Sequence, residues 1–150
     1  MPYDPTIYLG SAAHYRYGRP AYSPELEAFL TQKMGLDGTG RLLDVGCGPG
    51  VLTVRLAHLF AQAVGLDPDA DMLAEGSRAA AEKGVMNIRW VQGLAEDLPA
   101  VAPGPYRLVT FGQSFHWTHR MFMTPFSPAV RQPSASMPAS GSRPTACVNR

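Results

Sequence analysis

Apolar residues along the chain switch between two spacings, and the switches mark out elements. In "YSPELEAFLTQKMG" the apolar positions Leu26, Phe29, Leu30 and Met34 fall on one face of a helix. Ser23 is placed to cap it, Pro24 to be its first residue and Gly35 to stop it. "RLLDV" is a short, nearly continuous apolar run, as expected of a buried strand. Leu52, Leu56, Leu59 and Phe60 return to helical spacing. "AVGLD" predicts a second strand, followed by a helix from Pro68 to Lys83 that Gly84 ends. "NIRWVQ" and "YRLVTF" predict the third and fourth strands.

Strands that alternate with helices need crossover connections, so the sheet is expected to be parallel. Right-handed crossovers then set the strand order 3-2-1-4. The expected fold is α/β and Rossmann-like, with an N-terminal helical segment. Residues 1–40 read as an N-terminal lid and helix, 41–122 as the α/β core and 123–150 as a tail. The periodic pattern stops after Trp117. Thr124 to Arg150 holds five Pro and five Ser, too little apolar surface to offset chain entropy, so a disordered tail is expected.

The chemistry gathers where the first strand meets its helix. Gly46, Gly48 and Gly50 permit a tight turn and remove the Cβ atoms that would hold a ligand away. The first N–H groups of the following helix would face whatever lies beyond the strand. A dinucleotide fingerprint would have a third glycine where this chain has Val51, and a phosphate-cradling loop would have a lysine that is missing here. Asp44 beside the turn would repel a pyrophosphate and suits a ligand with an ammonium group. Asp67 ends the second strand about twenty residues on, the place where such folds grip a ribose diol. Its alternative role is to cap the helix at Pro68. A ligand with a ribose, a positive amine and no phosphate is specified, and S-adenosylmethionine meets the specification.

Charge changes the picture along the chain more than in total. The net charge is +1, but all twelve acids lie at or before Asp97, and five arginines and no acid follow. Those arginines are too sparse for a nucleic-acid surface. Cys47 and Cys147 lie a hundred positions apart and suggest neither a disulfide framework nor a metal site, so a reducing, cytoplasmic setting is expected. No run of the sequence resembles a membrane span or a signal peptide.

"LLDVGCGPG", "VGLDPDADML", "VQGLAEDLP" and "YRLVTFGQSFHW" resemble, in order and spacing, the four signature segments of class I S-adenosylmethionine-dependent methyltransferases. "HYRYGRPAYSPEL" and "FHW" resemble the small-molecule branch that includes trans-aconitate methyltransferases, and the resemblance covers roughly residues 12 to 120. It implies that residues 41–122 are a partial cofactor-binding core. It implies that Asp44, Gly46 and Gly48 line the methionine end of the cofactor and that Asp67 binds the ribose. Met72 would lie near the adenine, Ala95 and Glu96 would flank it, and Phe111 would sit beside the methionyl part. Leu94 stands where many relatives carry an acid, so an adenine contact from that side chain is not expected.

The implied reaction is methyl transfer to a small-molecule acceptor, with a carboxylic acid as the candidate class, no metal and no assigned catalytic residue. The alternative is a non-catalytic fragment that binds the cofactor weakly or not at all. The family sheet has seven strands and this chain shows four, so a truncated chain with a frame-shifted tail is expected. Cys47 reads as a packing residue rather than a nucleophile. His116 and Trp117 could face an acceptor, and Tyr15, Tyr17, Tyr22 and Arg19 could belong to the lid; packing explains them equally well.

Overall fold

A computed structural model of the chain describes Gly10 and residues 22–115. The expectations for Tyr15, Tyr17, Arg19, His116, Trp117 and the tail at 123–150 lie outside the described residues.

Helix α1 (Glu25–Met34) begins and ends close to where its caps place it. The Ser23 carbonyl accepts from the Leu26 amide at 3.1 Å and its hydroxyl from the Glu25 amide at 3.3 Å. Gly35 closes the helix with a φ of 59°, a left-handed conformation that favours glycine. The expected apolar stripe is only half used. Leu26 and Leu30 pack on the core, but Phe29 is 55% exposed and Met34 38%. Leu26 and Leu30 meet the apolar cluster around Leu42 and Leu52, so only a narrow stripe of α1 is covered.

The remaining elements are β1 (Arg41–Val45), α2 (Val51–Leu56), β2 (Gln62–Asp67), α3 (Ala70–Glu82), β3 (Ile88–Gln92), α4 (Leu98–Val101) and β4 (Leu108–Thr110). The four strands form one sheet in the order β3-β2-β1-β4, all pairs parallel, as the crossover argument requires. The helix after the glycine turn is shorter than its spacing suggests. It ends at Leu56 and tightens into a 3₁₀ turn, Ala57–Leu59. The Asn87 amide group donates to the carbonyls of Ala57 and Phe60 at 2.9 and 3.0 Å, satisfying groups that a longer helix would have used itself. α3 starts at Ala70 rather than Pro68, because Asp69 is the cap: its carboxylate accepts from the amides of Asp71 and Met72. The fourth strand is confined to three residues of "YRLVTF".

Alternation along β1 divides the core in two. Leu43 and Val45 join Val64, Leu66, Val91, Leu98 and Ala102 on one face. Leu42 joins Leu52, Leu56, Ala57, Phe60 and Ala63 on the other. Asp44 shares the parity of Leu42 and so faces α2. Trp90 stands opposite Gly65 in the β2–β3 register, with its ring against that glycine. A Cβ at Gly65 would meet its ring at 2.9 Å, and one at Gly76 of α3 would meet it at 2.8 Å. A Cβ at Gly50 would also collide with it, so three glycines make the slot for one indole.

Candidate functional site

Parallel strands leave their carboxyl ends at one edge, and the order 3-2-1-4 puts a topological switch between β1 and β4. At that edge stand Asp44 and Gly46 from β1 and its turn, and Asp67 at the end of β2. Ala95 and Glu96 lie in a 3₁₀ turn, Ala95–Asp97, after β3, and Phe111 just after β4. The topology therefore brings six of the eight expected cofactor residues, with Gly48 as a seventh, to one edge of the sheet. The eighth, Met72, is in the first turn of α3 and is buried.

The glycine turn is built as expected and wired differently. Gly46, Gly48 and Gly50 have φ of 64°, 53° and 70°, all in the left-handed region that side chains rarely enter. Their amides, however, turn inward. Those of Gly46 and Cys47 both donate to the Leu66 carbonyl, at 2.8 and 3.0 Å, and that of Gly50 donates to the Cys47 carbonyl. The Gly48 amide donates to Asp67 Oδ2 at 2.8 Å. The turn spends these donors on its own strand and on the second acid, rather than on a ligand.

Asp67 is accordingly held from two sides. Its Oδ1 accepts from the Asp69 amide at 3.0 Å while Oδ2 accepts from Gly48. It does not cap α3, since Asp69 does. A carboxylate has about four lone-pair sites, so each oxygen retains room for one hydroxyl donor. Burial raises its pKa, against the lowering effect of the Asp69 and Gly48 amides, and the charge of Asp69 raises it further.

Asp44 is more enclosed, at 1% exposure. Thr53 Oγ1 of α2 donates to Oδ2 at 2.6 Å, and Thr110 Oγ1 of β4 to Oδ1 at 2.8 Å. Burial pushes its pKa up to about 6, opposed by the two threonine hydroxyls, reinforced by the charge of Asp67 and opposed again by the Gly112 amide. Three donors, from Thr53, Thr110 and the Gly112 amide, thus enclose Asp44. Among the described residues neither acid pairs with a lysine, arginine or histidine. Two buried carboxylates without a cation at the edge of a sheet fit a ligand that brings hydroxyls and positive charge, as the ribose and the amine of S-adenosylmethionine would.

The residues that complete the site were not visible as a pattern. Thr110 lies opposite Asp44 in the β1–β4 register, and Thr53 is in the first turn of the helix that returns over the strand. A hydroxyl in either place becomes meaningful only once the pairing is known. Ser114 is a third such residue: its hydroxyl donates to the Val45 carbonyl, and its side chain occupies the space a Cβ on Gly46 would need. Phe111 packs against the core and meets Phe115 edge to face, ring centroids 5.5 Å apart. Glu96 is exposed and Ala95 half-buried. The Leu94 amide donates to Asp97 Oδ2 at 3.3 Å, so that backbone group is already engaged. Burial, followed by the charges of Asp44 and Asp67, pushes the Cys47 thiol well up, which agrees with packing rather than nucleophilic chemistry. Among the described residues no group of acids, histidines or cysteines could hold a metal, and no helix is long and apolar enough to cross a membrane.

Comparison with known proteins agrees with this geometry. The model of a methyltransferase domain family matches residues 42–130, more than half of the chain. A probable S-adenosylmethionine-dependent methyltransferase of Saccharomyces cerevisiae is 29% identical over 116 residues, covering 75% of this chain and 40% of that protein. Trans-aconitate 2-methyltransferase of Mycobacterium tuberculosis is 39% identical over 85 residues, covering 55% of this chain and 28% of that protein. The chain thus spans well under half the length of these relatives. Among solved structures, the YcgJ protein of Bacillus subtilis superposes with a TM-score of 0.54 at 27% identity, covering 63% of this chain and 40% of that one. A methyltransferase of Thiobacillus denitrificans, crystallised with S-adenosyl-L-homocysteine, shares the fold with a TM-score of 0.53 at 20% identity, covering 74% and 44%. With a parallel 3-2-1-4 sheet, a left-handed glycine turn and acids near the carboxyl ends of the first two strands, this chain belongs to the family of S-adenosylmethionine-dependent methyltransferases.

Proposed function

We propose that this chain forms the cofactor-binding half of an enzyme that transfers a methyl group from S-adenosylmethionine to a small carboxylic acid. The observation that carries the reading is the pair of buried acids near the carboxyl ends of β1 and β2, neither with a cationic side chain beside it among the described residues. Asp67 would take the two ribose hydroxyls on the lone pairs that Gly48 and Asp69 leave open. Asp44 would favour the positive methionyl end through its field. Gly46 and Gly48 would line that end, with the Ser114 side chain in the space a Cβ on Gly46 would need and Phe111 beside it. Met72, Ala95 and Glu96 would border the adenine.

The cofactor, when bound, supplies an electrophilic methyl with its own leaving group. The chain's work is to orient the partners and exclude water, and orientation contributes about 7–11 kcal/mol in well-aligned cases. A carboxylate acceptor is already ionised at neutral pH and needs no base, so the reading requires no catalytic proton carrier. The likeness to trans-aconitate 2-methyltransferase supports the acceptor class.

Calorimetric titration with S-adenosylhomocysteine tests the cofactor reading, with Asp67→Ala as the variant expected to bind more weakly. Transfer of labelled methyl to a panel of small acids, amines and phenols, with trans-aconitate included, tests the acceptor. Absence of S-adenosylhomocysteine binding by the folded chain would retire the cofactor reading. Labelling of amines or phenols in preference to acids would retire the acceptor class alone.

A further inference from the structure

α2 leaves the glycine turn and carries Arg55 near its end. The guanidinium reaches across to the segment that enters α1 and holds it at three points. Nη1 donates to the Tyr22 carbonyl at 2.6 Å, Nη2 to the Ser23 carbonyl at 2.9 Å, and Nε to Glu27 Oε1 at 2.5 Å. The second oxygen of Glu27 is 3.6 Å from His58 Nε2, and His58 Nδ1 is 3.0 Å from the Arg55 carbonyl. The start of α1 is therefore pinned to the helix that follows the cofactor turn. Tyr22 precedes α1 and lies outside its hydrogen-bond ladder, so the bond to its carbonyl ties it to the core.

The side chain of Tyr22 points to the carboxyl edge of the sheet. A Cβ on Gly112 would come 2.7 Å from Tyr22 Oη and 3.4 Å from a Leu52 methyl, so the phenol lies against the backbone just after β4. The amide of Gly112 is one of the groups that lowers the pKa of Asp44. A phenol hydroxyl both donates and accepts, and its ring is positioned by only two torsions. Held there, it stands against Gly112, the residue just after β4 whose amide meets Asp44.

We propose that Arg55 is a positioning residue that seats Tyr22 as a wall of the cofactor site, with the phenol hydroxyl toward the methionyl end of the ligand. The inference rests on the cofactor reading above and adds two residues to it. Lysine cannot replace the arginine in this role, because one ammonium lacks the planar fork that spans three fixed acceptors.

The test is a double-mutant cycle on the whole chain, with S-adenosylhomocysteine as the probe and the dissociation constant read by calorimetry, beside thermal melts. Arg55→Lys and Tyr22→Ala are each expected to weaken binding about tenfold, and the double variant by about the same factor, since both remove one seated side chain. Tyr22→Phe, which removes a single oxygen and spares the packing, should weaken it by about threefold or more with an unchanged melting temperature. Combined with Asp67→Ala, Arg55→Lys should instead multiply, because that acid grips a different part of the ligand.

Arg55→Lys with a lowered melting temperature and a wild-type dissociation constant would overturn the proposal. So would losses that multiply to about a hundredfold in the Arg55/Tyr22 double variant. A wild-type chain that fails to bind would instead bring down the cofactor reading, and this inference with it.

Discussion

Replacing Asp44 by asparagine keeps the side-chain shape and removes the charge, and the structure gives the size and the pH dependence of the effect. Burial raises the Asp44 pKa from 3.8 to about 6. The folded state therefore holds this proton more tightly than the unfolded chain does. The associated stability is complete below pH 3.8 and is lost as the pH rises through about 6. At about 1.4 kcal/mol per pH unit, that interval amounts to about 3 kcal/mol. Asparagine has no such dependence. Its carbonyl oxygen accepts from one threonine, and the hydroxyl of the other rotates to accept from the amide nitrogen. Below about pH 6 the wild-type side chain is itself protonated, so both proteins then present neutral hydrogen-bonding groups to the two threonines. Asp44→Asn should thus be about as stable as the wild type near pH 4 and about 2–3 kcal/mol more stable near pH 7.5. Urea unfolding of both proteins at four or five pH values between 4 and 7.5 measures the difference. The same pair should separate in binding: S-adenosylhomocysteine affinity should rise with pH through 6 in the wild type and stay flat in the variant. A stability difference that is constant over the whole interval would refute the reasoning, because it would mean that Asp44 titrates alike in the folded and unfolded chain.

Asp67→Ala should weaken S-adenosylhomocysteine binding by about 2 kcal/mol, roughly thirtyfold by calorimetry, from the loss of hydrogen bonds to a charged group. A wild-type dissociation constant in the folded variant would dismiss the ribose assignment. Gly76→Ala places a Cβ 2.8 Å from the Trp90 ring and should cost about 1–3 kcal/mol in urea unfolding. Combining it with Trp90→Leu should recover part of that loss, and a purely additive result would place the strain elsewhere. Asn87→Ala removes the donors to the Ala57 and Phe60 carbonyls and should destabilise by about 1–3 kcal/mol, with faster amide exchange at the end of α2. Unchanged exchange there would assign the end of the helix to another cause.

Much of this protein follows from its sequence alone, because the relevant physics is local. A glycine can be read as a left-handed turn at Gly46, Gly48 and Gly50, since no neighbour is needed to explain φ near +60°. Alternating strand and helix patterns compel parallel pairing, and the handedness of crossovers then compels the order β3-β2-β1-β4. Parallel strands end at one edge, so Asp44, Asp67, Ala95, Glu96 and Phe111 had to converge. What the order of residues does not state is which donors each acid meets. Thr53 and Thr110 are unremarkable until the register lays one opposite Asp44 and the returning helix lays the other above it. The inward turn of the Gly46 and Cys47 amides depends on where the Leu66 carbonyl of the neighbouring strand comes to rest. The cap of α3 fell to Asp69 rather than Asp67, because the Gly48 amide and the Asp69 amide together hold Asp67 at the strand end. The exposure of Phe29 and Met34 follows from how little of α1 the apolar core covers, and the seating of Tyr22 from an arginine 33 positions along the chain. Spacing along a chain sets the torsions and the periodic faces; hydrogen-bond partners are chosen by proximity in space, and only the packed fold brings those groups within reach.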